Sequence, residues 1–204
     1  VAYGGEHLYY ASFDGAEWHV EIADDSPYVG RYASLALDSA GYPHIGYYDA
    51  VNESLKYAHW TGERWETGFV ADMGTPFNSG GVIALALDAE GTPHISYYDA
   101  DDGAIKYAQW VGEKWSIRTI APTGEAPVAL SMTLDANGSP HVSYCADGLN
   151  YARCTDQGWK IQLVDGGETF GSGYVSIALD SLGLPHIGYY VDSKETMQRS
   201  LRHA

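Results

Sequence analysis

The chain has 204 residues, of which 45% are apolar, and this is enough material for one domain with a hydrophobic core. Its 27 acidic residues against 11 lysines and arginines give a formal net charge of −16, which repels phosphate backbones and excludes nucleic acid as an expected partner. No apolar run approaches the ~20 residues of a transmembrane helix, so we expect no membrane insertion. The chain begins with VAYGG, without an initiator Met or a signal peptide, and we interpret it as a processed or partial product, extracellular or on the cell surface.

In chain order, the sequence starts with an incomplete unit at residues 1–24, which aligns without a gap with the segment from Val142 onward. Complete units follow at residues 32–72, 82–122 and 129–165, and a second incomplete unit occupies residues 174–204. The last four units share the phrase LDSAGYPHIGYYDA, quoted from Leu37, and in each copy a His stands six residues after an Asp. These pairs are Asp38–His44, Asp88–His94, Asp135–His141 and Asp180–His186. A period of about 45–50 residues indicates a repeat architecture.

Each complete unit contains four predicted strands, which in the first one cover residues 32–38, 44–50, 54–60 and 65–71. Four short antiparallel strands in each repeat predict an all-β propeller, with residues 1–204 as a single domain. In each repeated turn, we expect the Asp to cap backbone N–H groups and the Gly to supply a positive φ. We expect the repeated Tyr and Trp to pack between neighbouring blades.

The repeat also carries a resemblance to known proteins. Units of the form L-D-x-x-G-x-P-H-[IV]-x-Y-Y, followed by [LI]-K-Y-A-x-W-x-G-x-x-W, resemble the repeats of secreted microbial β-propeller proteins and are more distantly similar to sialidase-like propellers with Asp-box turns. The resemblance covers nearly the whole chain and implies the propeller fold. The Asp-box pattern S/T-x-D-x-G-x-x-W/F is not matched, because here the Gly stands three residues after the Asp. The resemblance therefore implies no specific activity.

The ends of the chain do not complete whole blades, because the units together predict 18 strands. We expect a four-bladed ring with one blade built from both termini, and five blades are the alternative. Either arrangement leaves a strand edge that can pair with another chain. We therefore expect head-to-tail self-association, extending to filaments, unless a longer chain supplies the missing strands. The residues predicted to carry it are Val1, Ala2, Tyr3, Ser200, Leu201, Arg202, His203 and Ala204.

Two groups of side chains in the sequence are of the types that bind metal ions. The four repeated histidines could form a ring of imidazoles for Zn²⁺, Cu²⁺ or Ni²⁺. A residue repeated in every unit is usually structural, however, and we expect each of these histidines to hydrogen-bond a neighbouring backbone carbonyl. The stretch DADDG at Asp99–Gly103 gathers three carboxylates but lacks the spacing of an EF-hand. We predict no metal site and no cofactor.

No enzyme motif is present, and we assign no catalytic residues. The six arginines form no recognisable set of the kind that a sialidase site needs. The function that we expect is a non-catalytic structural or adhesive module that binds copies of itself. The alternative is a carbohydrate-binding propeller, because 17 Tyr and 6 Trp beside Asp and Asn can contact sugar faces and hydroxyls. A degenerate sialidase-like glycosidase is the third interpretation.

The two cysteines flank a hairpin turn predicted around Asp147-Gly148. In that register Cys145 faces Asn150 and Cys154 faces His141. The thiols then lie about 13 Å apart, whereas bridged Cα atoms lie within about 7 Å of each other. We therefore predict two buried free thiols.

Two sequons, NES at Asn52 and NGS at Asn137, match the N-x-[ST] acceptor pattern for N-glycosylation. Both lie in predicted turns, where a glycan would be sterically acceptable. The two asparagines are therefore candidate glycosylation sites.

Overall fold

The computed structural model of the chain describes residues 1–76, 82–124, 127, 129–166, 174–192 and 199–204. Within these ranges the chain forms β-strands and no helix, and no helix has the length and apolar character that a membrane crossing needs. The strands are β1 (Ala2–Gly4), β2 (Leu8–Phe13), β3 (Trp18–Asp24), β4 (Val29–Leu37), β5 (Pro43–Asp49), β6 (Ser54–Trp60), β7 (Trp65–Asp72), β8 (Ile83–Leu87), β9 (Pro93–Asp99), β10 (Ala104–Val111), β11 (Lys114–Pro122), β12 (Ala129–Leu134), β13 (Pro140–Cys145), β14 (Leu149–Thr155), β15 (Gly158–Asp165), β16 (Val175–Leu179), β17 (Pro185–Asp192) and β18 (Arg199–His203).

The described strands form five antiparallel sheets, each built from consecutive strands. Sheet 1 contains β1–β3, sheet 2 β4–β7, sheet 3 β8–β11, sheet 4 β12–β15 and sheet 5 β16–β18. The four strands predicted for the first complete unit are confirmed as β4–β7, with ends that differ by at most three residues.

The sequence predicted one sheet built from both termini, and this prediction is wrong for the described strands. The N-terminal strands β1–β3 and the C-terminal strands β16–β18 form two separate sheets. Hydrogen bonding explains the difference. The amino group of Val1 donates to the carbonyl of Ala11 at 2.8 Å, so the first strand pairs inside sheet 1. Ala204 exchanges two backbone hydrogen bonds with Ile187, of 2.8 and 2.9 Å, inside sheet 5.

The first strands of sheets 2 to 5 lie side by side, which places the sheets face to face around a common centre. The Leu85 N–H of β8 donates to Ser34 Oγ of β4 at 3.0 Å, and the Ile177 N–H of β16 donates to Ser131 Oγ of β12 at 3.4 Å. The second strands β5, β9 and β13 are buried throughout. The core therefore lies between the sheets, and the outer strands β3, β7, β11 and β15 face solvent over part of their length. This is the arrangement of propeller blades.

Candidate functional site

The repeated Asp turn is a backbone cap, as predicted. In sheet 3, Asp88 Oδ1 accepts the N–H groups of Glu90 at 3.1 Å and Thr92 at 2.7 Å, and Gly91 has a φ of 81°. A positive φ of this kind is easily adopted only by glycine. The same pair of N–H bonds forms at the other repeated aspartates, Asp38, Asp135 and Asp180.

The repeated His contacts a Tyr hydroxyl rather than the backbone carbonyl that we expected. His94 Nδ1 lies 2.5 Å from the Tyr107 hydroxyl, and its Nε2 lies 3.3 Å from Asp88 Oδ2. Sheets 2 and 4 repeat this Asp–His–Tyr arrangement at His44 and His141. In sheets 2 to 4 both ring nitrogens thus have partners within their own sheet, whereas His186 Nδ1 in sheet 5 lies 3.1 Å from His203 Nε2.

The protonation states of the repeated His and Tyr side chains are compatible with a structural role. Burial lowers the pKa of His94, so the imidazole stays neutral near pH 7. Burial raises the pKa of Tyr107, so its phenol stays protonated. The Asp–His–Tyr chain holds the turn on the third strand.

Two of the three carboxylates in the acidic stretch at Asp99–Gly103 share one lysine. Asp99 Oδ1 accepts the N–H groups of Asp101 and Asp102, and Lys106 Nζ donates to Asp99 Oδ2 at 2.7 Å and to Asp102. A second group of ligand-type side chains, Asp14, Glu17 and His19, clusters in the exposed β2–β3 turn. There the hydrogen bond with His19 and those from backbone N–H groups lower the pKa of Asp14 to about 2.

The repeated Trp packs on a Tyr of the preceding sheet, as predicted. The three edge-on pairs have ring centroids 5.4–5.5 Å apart, and they are Tyr10–Trp65, Tyr57–Trp115 and Tyr107–Trp159. Within the described residues, the indole N–H groups of Trp65 and Trp159 are buried without a hydrogen-bond partner. Trp115 instead lines an open cleft between sheets 2 and 3.

This sheet 2–3 cleft has a volume of about 540 Å³. Its floor is the outer part of sheet 2 and its wall is the third sheet. The lining residues are His44, Tyr57, His59, Glu66, Thr67, Gly68, Phe69, Gly91, Pro93, Trp110 and Trp115.

One side of the cleft is aromatic. Phe69 is 58% exposed and Trp110 is 39% exposed, and the Trp110 ring packs edge-on against Trp115 with centroids 5.3 Å apart. Large apolar side chains exposed beside a concave surface are a common feature of ligand sites. The cleft therefore offers flat apolar faces to a ligand.

Polar side chains line the cleft beside Phe69 on sheet 2. His59 lies opposite Glu66 in the β6–β7 ladder, with 3.9 Å between His59 Nε2 and Glu66 Oε2. Arg64 donates a charge-assisted hydrogen bond to Glu66. Burial lowers the pKa of His44, and the nearby His59 lowers it further. The cleft thus combines aromatic faces with a fixed carboxylate, that of Glu66, and the imidazole of His59.

The predicted self-association residues lie in two different sheets. Val1, Ala2 and Tyr3 lie at the start of sheet 1, with Val1 62% and Tyr3 44% exposed. Ser200, Leu201, Arg202, His203 and Ala204 lie in or next to β18 of sheet 5, where His203 and Ala204 are exposed. The two groups do not share a sheet, and their role as contacts between copies stays a prediction.

The hairpin that carries the two cysteines has a register one residue from the predicted one. Cys145 pairs with Leu149 and His141 with Arg153, because the turn contains three residues instead of two. Both cysteines are free, as predicted, but Cys154 is only half-buried.

Both candidate glycosylation sites lie in exposed turns. The Asn52 side-chain amide donates to Asp49 Oδ2 at 2.8 Å, so a glycan on this nitrogen would break a turn contact. Asn137 contributes its backbone N–H to Asp135, and this bond leaves the side-chain amide unaffected. Asn137 is therefore the sterically better acceptor.

No sequence motif pointed to Trp110 or to the polar residues that line the cleft. One signal could have found them. His59, Glu66 and Phe69 occupy positions at which the units differ from one another, with Gln109, Ser116 and Thr119 as their counterparts in the next unit. A binding site tends to break the symmetry of a repeat. Positions that differ between units are therefore candidates for a binding site, as the repeated positions are for the scaffold.

Comparisons with known proteins show the fold. AofleA from Arthrobotrys oligospora matches 98% of this chain with a TM-score of 0.65 at 12% identity, and this chain spans 62% of its length. A mutant of the Aleuria aurantia lectin, in complex with Fucα1-6GlcNAc, matches with a TM-score of 0.64 at 13% identity over 98% of this chain and 68% of its own. A family-43 β1,3-galactosidase with galactodeoxynojirimycin has a TM-score of 0.53 at 12% identity over 96% and 81%. No family model matches the sequence, and no curated protein matches it significantly.

Proposed function

We propose that the chain is a non-catalytic, extracellular carbohydrate-binding propeller module whose sugar site is the sheet 2–3 cleft. The observation that carries the proposal is the exposed Trp110 and Phe69 beside the His59–Glu66–Arg64 group. The apolar face of a pyranose ring packs on aromatic rings, and its hydroxyl groups need fixed donors and acceptors nearby. A volume of about 540 Å³ lies within the usual range for small-ligand sites.

The comparisons support binding of sugars in general. The Aleuria aurantia lectin is in complex with a disaccharide, Fucα1-6GlcNAc, and the family-43 enzyme holds a sugar analogue. The cleft itself favours binding over hydrolysis. Among the described residues that line the cleft, Glu66 is the one carboxylate, and Arg64 pairs with it. Most glycosidases use two carboxylates on either side of the bond that they cleave.

A glycan array followed by calorimetry tests this proposal. We expect neutral glycans to bind to the wild-type chain and Glu66→Gln to weaken them about tenfold, because a charge-assisted hydrogen bond to a hydroxyl is lost. Glu63→Gln is the matched control, since it removes one charge from the same hairpin outside the cleft. Equal affinity of both variants, or no bound glycan, would contradict the proposal.

Self-association is a second candidate, favoured by one observation on sheet 1. Phe13, Trp18, Val20 and Ile22 are 46–60% exposed, whereas the Trp at the same repeat position of sheets 2 to 4 packs on the preceding sheet. The occupant that we propose is sheet 5 of a second copy, in which His203 holds the repeat position of Tyr57. Charge favours this contact, because residues 1–30 contain six acids and no Lys or Arg, whereas residues 199–204 contain Arg199 and Arg202.

Light scattering at increasing protein concentration tests the second candidate. We expect the mass to rise with concentration, and both Trp18→Ser and deletion of residues 200–204 to abolish the rise. A constant mass of 22.2 kDa for the wild-type chain would contradict it.

A further inference from the structure

The outer hairpin of sheet 4 carries two cations face to face. Arg153 of β14 and Lys160 of β15 are Cα partners in the strand ladder, and both side chains are exposed. They line a groove of about 410 Å³ together with Tyr151, Ile161 and Gln162, here named the sheet 4 groove.

The same ladder position can be compared in four sheets. Sheet 4 pairs two cations, and the other three sheets pair residues that are neutral or of opposite charge. These pairs are Ser12–His19, His59–Glu66 and Gln109–Ser116. Like charges directly opposite each other destabilise a sheet. The hairpins of the other three sheets form without a pair of cations at this position. The fold therefore does not require Arg153 and Lys160 to lie together.

The two cations lack a carboxylate partner within the part of the chain that the structure describes. Among the described residues, neither Arg153 nor Lys160 forms an ion pair, although the chain has 27 acidic residues. The nearby carboxylate of the sheet, Asp135, lies 3.8 Å from His141 Nε2 and forms no ion pair with Arg153 or Lys160 among the described residues. A positive spot on a chain of net charge −16 concentrates small anions locally.

The geometry of the groove suits one class of anion. Tyr151 and Gln162 are also Cα partners, so they lie on the same face of the sheet as the Arg153–Lys160 pair, two residues along each strand. An Arg guanidinium binds a carboxylate or sulfate with two parallel hydrogen bonds, and a Lys ammonium adds a point charge. The Tyr and Gln side chains are suited to a neighbouring ring and its hydroxyl groups. Because Tyr151 and Arg153 occupy the repeat positions of Tyr57 and His59, the groove is the counterpart of the sheet 2–3 cleft with the opposite charge.

We infer that the sheet 4 groove binds an acidic sugar, one that carries a carboxylate or sulfate group, through Arg153 and Lys160. This inference rests on the proposed carbohydrate-binding function and adds a second, anionic specificity to it. Glu66 in the sheet 2–3 cleft would repel the same ligand, so the two sites divide neutral and acidic glycans between them.

Calorimetric titration with glucuronic acid, galactose 6-sulfate and glucose tests the inference. We expect the two acidic sugars to bind more tightly than glucose, to weaken at high salt, and to lose about tenfold in affinity in the double variant Arg153→Gln/Lys160→Ser. This variant installs the polar pair that sheet 3 already carries, and it should melt at the same temperature as the wild-type chain or higher. Glu63→Gln, a change that lies outside both sites, should leave the affinity for acidic sugars unchanged.

Different results would overturn this inference and the proposed function. Binding of neutral glycans that depends on Glu66, with acidic sugars no tighter than glucose, would overturn the acidic site alone. Loss of acidic sugars in Glu66→Gln but not in the double variant would overturn it as well. Binding of inorganic sulfate that depends on Arg153 and Lys160, with no sugar bound by any variant, would overturn both.

Discussion

The repeated turn and the outer hairpin of each sheet differ in how much the sequence varies between sheets. The turn has the same Asp, Gly, Pro and His in sheets 2 to 5, and its side chains bond to one another and to the backbone. The outer hairpin presents a different residue pair in each of sheets 1 to 4. The comparison teaches that the repeated turn builds the scaffold, whereas the exposed pair of the outer hairpin is free to vary from sheet to sheet.

The largest loss of stability is expected when the repeated Trp is replaced. Trp159→Ala should lower the free energy of unfolding by about 3 kcal/mol, because the ring packs between sheets 3 and 4 against Tyr107. Trp18→Ala is the matched control at the same repeat position, where the side chain is 60% exposed, and should cost less than about 1 kcal/mol. Urea unfolding of both variants measures the difference. Equal costs would show that the Trp–Tyr packing between sheets is not a structural requirement.

A smaller loss is expected at the turn itself. Asp88→Ala removes the acceptor of two backbone N–H groups and should cost about 1–2 kcal/mol. Glu90→Gln in the same turn changes an exposed side chain and should cost almost nothing. If thermal melting gave the same midpoint for both variants, the turn would not depend on the repeated Asp.

The scaffold should also respond to pH. Burial lowers the pKa of His44, His94 and His141, whereas in the unfolded chain each pKa returns to about 6.5. As the pH falls below about 6.5, the unfolded chain takes up protons that the folded chain resists, so stability falls. Unfolding midpoints in urea measured from pH 8 to pH 5 check this, and a constant midpoint would contradict it.

A further loss of stability is expected in more acidic solution. Burial alone would raise the pKa of Asp88, but the hydrogen bonds from Thr92 and His94 outweigh it and hold the pKa below its ordinary value. The stability that this carboxylate contributes is present above about pH 4 and is lost as the pH falls through its folded pKa. In Asp88→Asn this acidic step should be smaller.

The local part of the fold could be predicted from the sequence. Alternating residues and Gly-containing turns placed β4–β7 to within three residues, because strand period and turn chemistry are properties of short segments. The Asp cap and the positive φ of Gly91 followed from the same local rules.

Contacts across strands could not be predicted in the same way. The hairpin at Cys145 has a three-residue turn, and this single added residue moved every predicted partner by one position. His94 contacts Tyr107 on the next strand, and this contact likewise depends on the register between the two strands. The sheet 2–3 cleft joins Glu66 of one unit to Trp110 of the next, so no pattern within one unit reveals it.

The most direct test of the sugar site in the sheet 2–3 cleft follows the indole N–H signals of the six tryptophans by NMR during titration with a bound neutral glycan, each signal assigned by a Trp→Phe variant. We predict that the signals of Trp110 and Trp115, which line the cleft, shift with the titration while that of Trp159 does not. Shifts confined to Trp18, or to tryptophans outside the cleft, would contradict the assignment of the sugar site.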